Sequence, residues 1–270
     1  MTVVAVVGDA ATTTTVAIAA GWPSAHEVVV LEADPRGGSL AGWLDTPAHP
    51  SLATVVATVG TDSARDHGSI LDTFVVMTRR SESGVRFVAN GIRARAAHRA
   101  VEEAAAVVLP ALAAAPSIVM ADVGVHESGR APSPALRVAD VVVIVHRQAT
   151  ASARAATVRI ERLVETVEEL AHLDAVFVLA VIGDAPFDPA EIGRFVDESV
   201  PGAVRTTVAI ADDPLAAATI AGRAGVSSRR LRRLPLLRDA STLAVELSEL
   251  VAGWRRLDTD ELLGEESASA

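Results

Sequence analysis

Residues Val3–Pro23 read VVAVVGDAATTTTVAIAAGWP. A β-branched apolar run, Val3–Val7, stops at Gly8-Asp9-Ala10-Ala11; Thr12-Thr13-Thr14 then opens a run of small residues closed by Gly21, Trp22 and Pro23. Valine favours a pleated, packed strand, a hydroxyl suits the first turn of a helix, and proline cannot continue one. The order strand, glycine turn, helix is that of a phosphate-binding loop, in which backbone N–H groups point inward at a helix N-terminus. Such loops add a lysine that bridges the terminal phosphates and a Ser or Thr that holds Mg²⁺. The lysine is missing here. One Gly, one Asp and four Thr are equally the makings of an ordinary turn with an N-capping hydroxyl. The stretch alone leaves both readings open.

Support comes from downstream. VVVLEADPRGGSLAGWLDT (Val28–Thr46) places Glu32 and Asp34 at the carboxyl end of a second apolar strand, and PSIVMADVG (Pro116–Gly124) places Asp122 at the end of another. Ligands of open α/β sheets sit outside the carboxyl ends of the strands. One hydroxyl, Thr13, and two carboxylates, Asp34 and Asp122, are therefore expected to converge on one hydrated Mg²⁺.

The rest of the chain repeats the alternation. Short Val/Ile-rich runs at 2–7, 27–32, 85–89, 117–121, 140–145, 175–182 and 203–208 are apolar on both faces, as in strands covered on both sides. Helical patterns fall at Arg95–Leu112, Thr150–Ala171, Pro189–Val196 and Ala240–Leu257, and loops at Gly60–Ser69, Arg79–Gly84 and Gly124–Pro134. Alternating β and α elements predict a doubly wound, mainly parallel β-sheet with helices on both faces. The expectation is a single domain over 1–257, followed by an acidic, flexible tail at 258–270.

Composition narrows the chemistry. Half of the 270 residues are apolar, enough for a full core. There is no Cys, which excludes disulfides, thiolate metal sites and Cys nucleophiles. All 24 basic residues are Arg, so no lysine anywhere serves a phosphate loop. A net charge of −10 argues against broad nucleic-acid affinity. No positive charge precedes Arg36, unlike a signal peptide. The uncharged stretch Ala104–Ala121 is broken by Pro110 and Pro116 and reads as a helix end, a turn and a buried strand rather than a membrane span. The seven His show no ligand spacing, and neither G-x-S-x-G nor G-x-G-x-x-G occurs. His126 and Glu127 read as polar residues of an exposed loop.

Taken together, the blocks resemble the ParA/MinD family of deviant P-loop ATPases, and most closely a lysine-poor, MinD-like actinobacterial branch. The family's K-G-G-x-G-K-T-T falls on Val7-Gly8-Asp9-Ala10-Ala11-Thr12-Thr13-Thr14; Gly8, Thr13 and Thr14 match, both lysines are replaced, and Asp9 and Ala11 stand for glycines. Its D-x-D-P-x-G appears as Glu32-Ala33-Asp34-Pro35-Arg36-Gly37, and its hydrophobic-strand aspartate as Asp122. VLAVIGDAPFDPAEI and VAIADDPLAAATIAGRAG resemble the late segments that hold the purine.

The resemblance implies a P-loop NTPase fold with nucleotide contacts at Gly8, Asp9, Ala10, Ala11, Thr12, Thr13, Thr14, Asp184, Pro186 and Asp213. It implies Mg²⁺ at Thr13, Asp34 and Asp122, with Asp34 positioning the attacking water. The implied cofactors are ATP or ADP with Mg²⁺, or none. Without either lysine, and with Asp9 beside the phosphates, the expectation is a pseudo-ATPase that scaffolds or positions a pilus, secretion or partition apparatus. The alternative is an active switch that dimerises on ATP, with Arg36 or Arg147 supplying the missing charge. A homodimer, protein partners, and a cytoplasmic location with recruitment to membrane or pole are likewise implied. DNA contact would run through Arg229, Arg230, Arg232 and Arg233 of SSRRLRRLP (Ser227–Pro235). The closing helix (Leu243, Leu247, Leu250, Val251, Trp254) is expected to pack on the sheet rather than lie on a membrane.

Overall fold

A computed structural model describes residues 2–23, 27–60, 67–113, 117–148, 152–225, 228–231 and 233–268, without the side chains of 113, 228, 229 and 253–268. Eight strands form one sheet: β1 (Thr2–Gly8), β2 (Val28–Glu32), β3 (Arg79–Arg80), β4 (Arg86–Val88), β5 (Ile118–Gly124), β6 (Val141–Arg147), β7 (Val176–Ile182) and β8 (Val204–Ile210). Their order is β3-β4-β2-β5-β1-β6-β7-β8, parallel throughout except for the β3–β4 pair. β3 lies inside the segment read as the loop Arg79–Gly84. Its arginines put charge on the sheet edge, where further strand pairing would otherwise be invited.

Alternation within the strands sorts the core into two layers. Val3, Ala5 and Val7 of β1 face one layer, built on α3 (Leu52–Val59), α4 (His67–Met77), α5 (Ala94–Glu103), α6 (Leu109–Ala113), α7 (Pro134–Arg137), α8 (Ala153–Leu170) and α9 (Pro189–Ser199). Val4 and Val6 face the other, built on α1 (Ala11–Gly21), α2 (Leu40–Trp43), α10 (Pro214–Ile220) and α12 (Pro235–Ala268). The short α11 (Ser228–Leu231) precedes α12. This is the doubly wound architecture expected: β1, β2, β5, β6 and β7 are apolar because both their faces are covered, whereas the edge strand β8 (VRTTVAI), read as apolar on both faces, is only partly buried.

The uncharged stretch at 104–121 forms a π-helical turn (Ala104–Val108), α6 and then β5. The widened turn falls where Pro110, lacking an N–H, cannot bond the Ala106 carbonyl. Among the described residues, no helix is long and apolar enough to cross a membrane. α12 buries Leu236, Leu237, Ala240, Leu243, Ala244, Leu247 and Val251. That stripe packs on α1 and β8, as expected of the closing helix. Its backbone continues to Ala268, into the stretch read as a tail. The side chains of Trp254 and Arg229, and the whole of Arg232, lie outside the described residues; Arg230 and Arg233 are exposed.

Candidate functional site

Parallel pairing brings the ends of β1, β2, β5 and β6 to one edge of the sheet. Gly8 closes β1 with φ 122°, and a Cβ there would collide with the Val145 carbonyl, so no other residue fits. The Asp9 N–H donates to that same carbonyl at 3.0 Å, holding the loop against β6. Ala10 then takes the left-handed conformation (φ 63°, ψ 25°) as N-cap of α1. For a residue with a Cβ this costs about 1–2 kcal/mol. The strain sits on Ala10, not on Ala11, which is the buried first residue of the helix. The chain thus wraps into α1 in spite of the two replaced glycines.

The threonines diverge. Thr12, aligned with the family's loop lysine, is the threonine that acts on the Asp122 carboxylate, opposing the rise in its pKa. Thr15 returns its hydroxyl to the Ala11 carbonyl at 2.8 Å. Thr13 and Thr14 line a cavity of about 390 Å³ with Ala10, Arg147, Asp212, Asp213, Pro214 and Arg223. Thr14 is fully buried and its Oγ1 has no hydrogen-bond partner. Asp213 spends Oδ1 on capping α10, through the Ala216 N–H at 3.0 Å, and leaves a buried Oδ2 unpaired. Two orphaned polar atoms, a hydroxyl and a carboxylate oxygen, fit a polar guest that offers a hydrogen-bond donor. Asp184 and Pro186 stand in the exposed turn after β7, outside this cavity's lining. Buried Gln148 holds that turn, donating to the Gly183 and Phe187 carbonyls at 2.9 and 2.8 Å.

The acids are arranged differently. Glu32 and Asp122 are register partners on adjacent strands, and both are buried. Glu32 Oε1 accepts from the Ser39 and Leu40 N–H groups (2.5 and 2.6 Å), and Oε2 from Asn90 N–H at 2.7 Å. Burial raises its pKa against those three bonds. Burial likewise pushes Asp122 up to about 7, helped by the charges of Glu32 and Asp34 and opposed by bonds from Thr12 and the Gly124 N–H. Asp34 is clamped by Arg36: the Arg36 N–H and Nε donate to Oδ1 at 2.8 and 3.1 Å, and Nη2 to Oδ2 at 2.8 Å.

Asp34, Asp122 and the α1 N-terminus do share one edge of the sheet. Yet Asp122 meets Thr12 where the sequence suggested Thr13, and Asp34 meets a cation of its own. Among the described residues, no group of three His, Asp or Glu is arranged to hold a metal. Mg²⁺ at Thr13, Asp34 and Asp122 would require Arg36 to let go and Asp122, its pKa raised by burial, to be ionised.

Neither arginine considered as a substitute cation is unattached. Arg36 is held by Asp34, and Arg147 by both oxygens of Asp212 at 2.8–3.2 Å. His126, read as part of an exposed loop, is instead buried in its side chain (4% exposed) and bonded to Glu169 at 2.9 Å. Glu169 also accepts from the Gly129 N–H at 2.8 Å, fastening the 125–133 loop to α8. Sequence reasoning missed Glu169, the amides around Glu32, and Arg159 of α8, which pairs with Asp9 at 3.1 Å. Nothing local in the sequence marks Glu169, Arg159 or the Asn90 amide, since each partner lies well away along the chain.

No protein-family model matches the sequence, and no curated protein does. Solved structures match in shape. A ParA family ATPase from Chlorobium tepidum superposes with a TM-score of 0.62 at 14% identity, over 91% of this chain and 98% of the other. The septum site-determining protein MinD of Pyrococcus horikoshii, complexed with Mg-ADP, gives 0.62 at 16% identity, over 93% and 97%. Cobyrinic acid a,c-diamide synthase of Mycobacterium smegmatis, with an ATP analogue and magnesium, gives 0.55 at 15%, over 94% and 96%. With the phosphate-type loop at the head of α1 and the mostly parallel eight-stranded sheet, these likenesses establish that the chain has the ParA/MinD-like P-loop NTPase fold.

Proposed function

We propose that this chain is a ParA/MinD-like pseudo-ATPase: a scaffold that positions a cellular assembly such as a pilus, secretion or partition apparatus. Nucleotide, where it binds, sets its conformation more than it is consumed. The observation that supports this reading is the engagement by the protein itself of the three acids on the metal side of the site. Glu32 is filled by three amides, Asp34 is held by Arg36, and buried Asp122 accepts from the Gly124 N–H and is stabilised by Thr12. No lysine is available to offset the charge that develops on a transferred phosphoryl group. Losing one preorganised donor typically costs about 3–4 kcal/mol of barrier, and two are absent relative to the family pattern.

In this reading Thr13, Thr14 and Asp213 contact the nucleotide, and Thr13, Asp34 and Asp122 are the Mg²⁺ side of the site. Protein partners bring the chain to a membrane or pole from the cytoplasm. A turnover assay run beside calorimetric titration with Mg·ATP and Mg·ADP tests it. Binding with negligible phosphate release is expected; sustained turnover sinks the pseudo-ATPase.

One observation favours a second reading, an active switch that dimerises on ATP. The buried, unpaired Thr14 Oγ1 and Asp213 Oδ2 keep the nucleotide side of the loop open. ATP-dependent dimerisation in sedimentation, together with turnover, marks that alternative. DNA retention at physiological salt, lost on replacing Arg229, Arg230, Arg232 and Arg233 with Ala, marks a partition role.

A further inference from the structure

We propose that Arg159 is the working cation of this lysine-free loop: it binds the terminal phosphate of a nucleoside polyphosphate, and Asp9 holds it at the loop until that phosphate arrives. This rests on the reading that the loop takes a nucleotide. The warrant is a juxtaposition of α8 and the loop. Arg159 Nη2 lies 3.1 Å from Asp9 Oδ2, and Nη1 donates to the Arg147 carbonyl at the end of β6, also at 3.1 Å. Those two contacts fix the guanidinium beside the turn that leads into α1. A second cavity of about 390 Å³ opens there, lined by Gly8, Asp9, His146, Arg159, Arg162 and Thr166 among others.

Among the described arginines near this edge, Arg36 is clamped by Asp34, Arg130 by Glu127 and Arg147 by Asp212. Arg159 alone is paired with a residue of the loop itself.

Asp9 explains why such a cation is needed. Its backbone N–H is spent on Val145, so it cannot serve an anion, and its carboxylate would repel one. Neutralised by Arg159, the carboxylate permits approach. Both side chains are well exposed (39% and 38%), so the pair is weak in water and easily exchanged. A terminal phosphate carries more charge than a carboxylate and accepts a guanidinium through two oxygens. It takes Arg159 over, and Asp9 swings to solvent.

The two ends of one ion pair should then have opposite effects, which a purely structural pair would not show. The test is calorimetric titration of the full chain with ATP, ADP, AMP and tripolyphosphate, for wild type, Arg159→Gln and Asp9→Asn, each checked by thermal melting. Arg159→Gln should weaken ATP at least about tenfold and AMP little. Asp9→Asn should tighten ATP and tripolyphosphate several-fold. The inference is overturned if Arg159→Gln binds ATP as wild type does, or if both variants shift affinity in the same direction. It is overturned as well if neither wild type nor Asp9→Asn binds any of the four, a result that leaves a nucleotide-independent scaffold standing. Sustained ATP turnover by wild type would instead end the pseudo-ATPase reading and leave Arg159 untouched.

Discussion

The two flanks of the loop at the head of α1 contrast sharply. Toward β2 and β5, three acids are crowded together, and every one has found a partner within the chain. Toward β8 and α10, Thr14 and Asp213 bury polar atoms that have found none. A fold under no functional demand would pair both flanks or fill both with apolar groups, because an orphaned buried polar atom costs roughly 1–3 kcal/mol. The acidic flank therefore reads as structural, and the cavity flank as a site held ready for something polar. The flank that would hold metal has been closed by the protein's own groups, while the flank that would hold a nucleotide stays open.

Substitutions at the acidic flank should produce the largest effects. Glu32→Ala would strand the buried amides of Leu40 and Asn90 and the part-buried amide of Ser39. A loss of about 3–5 kcal/mol is expected by urea denaturation, with Glu32→Gln losing less because one acceptor oxygen remains. A loss under about 1 kcal/mol for Glu32→Ala would show that this flank is not the structural one.

Asp122 gives a smaller effect that depends on pH. Its carboxyl ionises near 3.8 when unfolded and near 7 when folded. Between those values folding takes up a proton, so this group's contribution is full below pH 4, falls as pH rises to about 7, and is flat above. The span is about 4 kcal/mol at most. Glu32, also raised, acts with the same sign. Asp122→Asn should flatten the decline in melting temperature between pH 4 and 7. An unchanged profile would mean that Asp122 is not the buried titrating acid.

Much of the fold was legible in the sequence because its signals are local. Each of the seven Val/Ile-rich runs became a strand, and Gly8, Asp34 and Asp122 were placed at strand ends by runs that stop there. β3 was not legible, since Arg79-Arg80 has no strand pattern and pairs only because β4 lies alongside. α2, α3, α4 and α10 were missed for want of long amphipathic repeats, being four to eleven residues in length. Within the site, residue types were visible and pairings were not. Asp34 looked free to hold a metal because the sequence cannot show that Arg36, two residues on, folds back onto it. Thr12, Thr13 and Thr14 looked interchangeable because helical rotation, about 100° per residue, decides which of them meets Asp122 and which meets the cavity.

The finest division between the flanks runs through one methyl-sized change. Thr14→Val removes the unpaired hydroxyl at nearly constant shape, and in a buried helical position it should raise stability by about 0.5–1 kcal/mol, read as a higher urea midpoint with unchanged slope. The same variant should weaken nucleotide binding, since the polar atom that costs stability in the free protein is the one held for the guest. A stabilised variant with unaltered affinity would make Thr14 a mere packing defect. A destabilised one would mean that the hydroxyl already has a partner, such as an ordered water, and the contrast between the flanks would narrow to Asp213 alone.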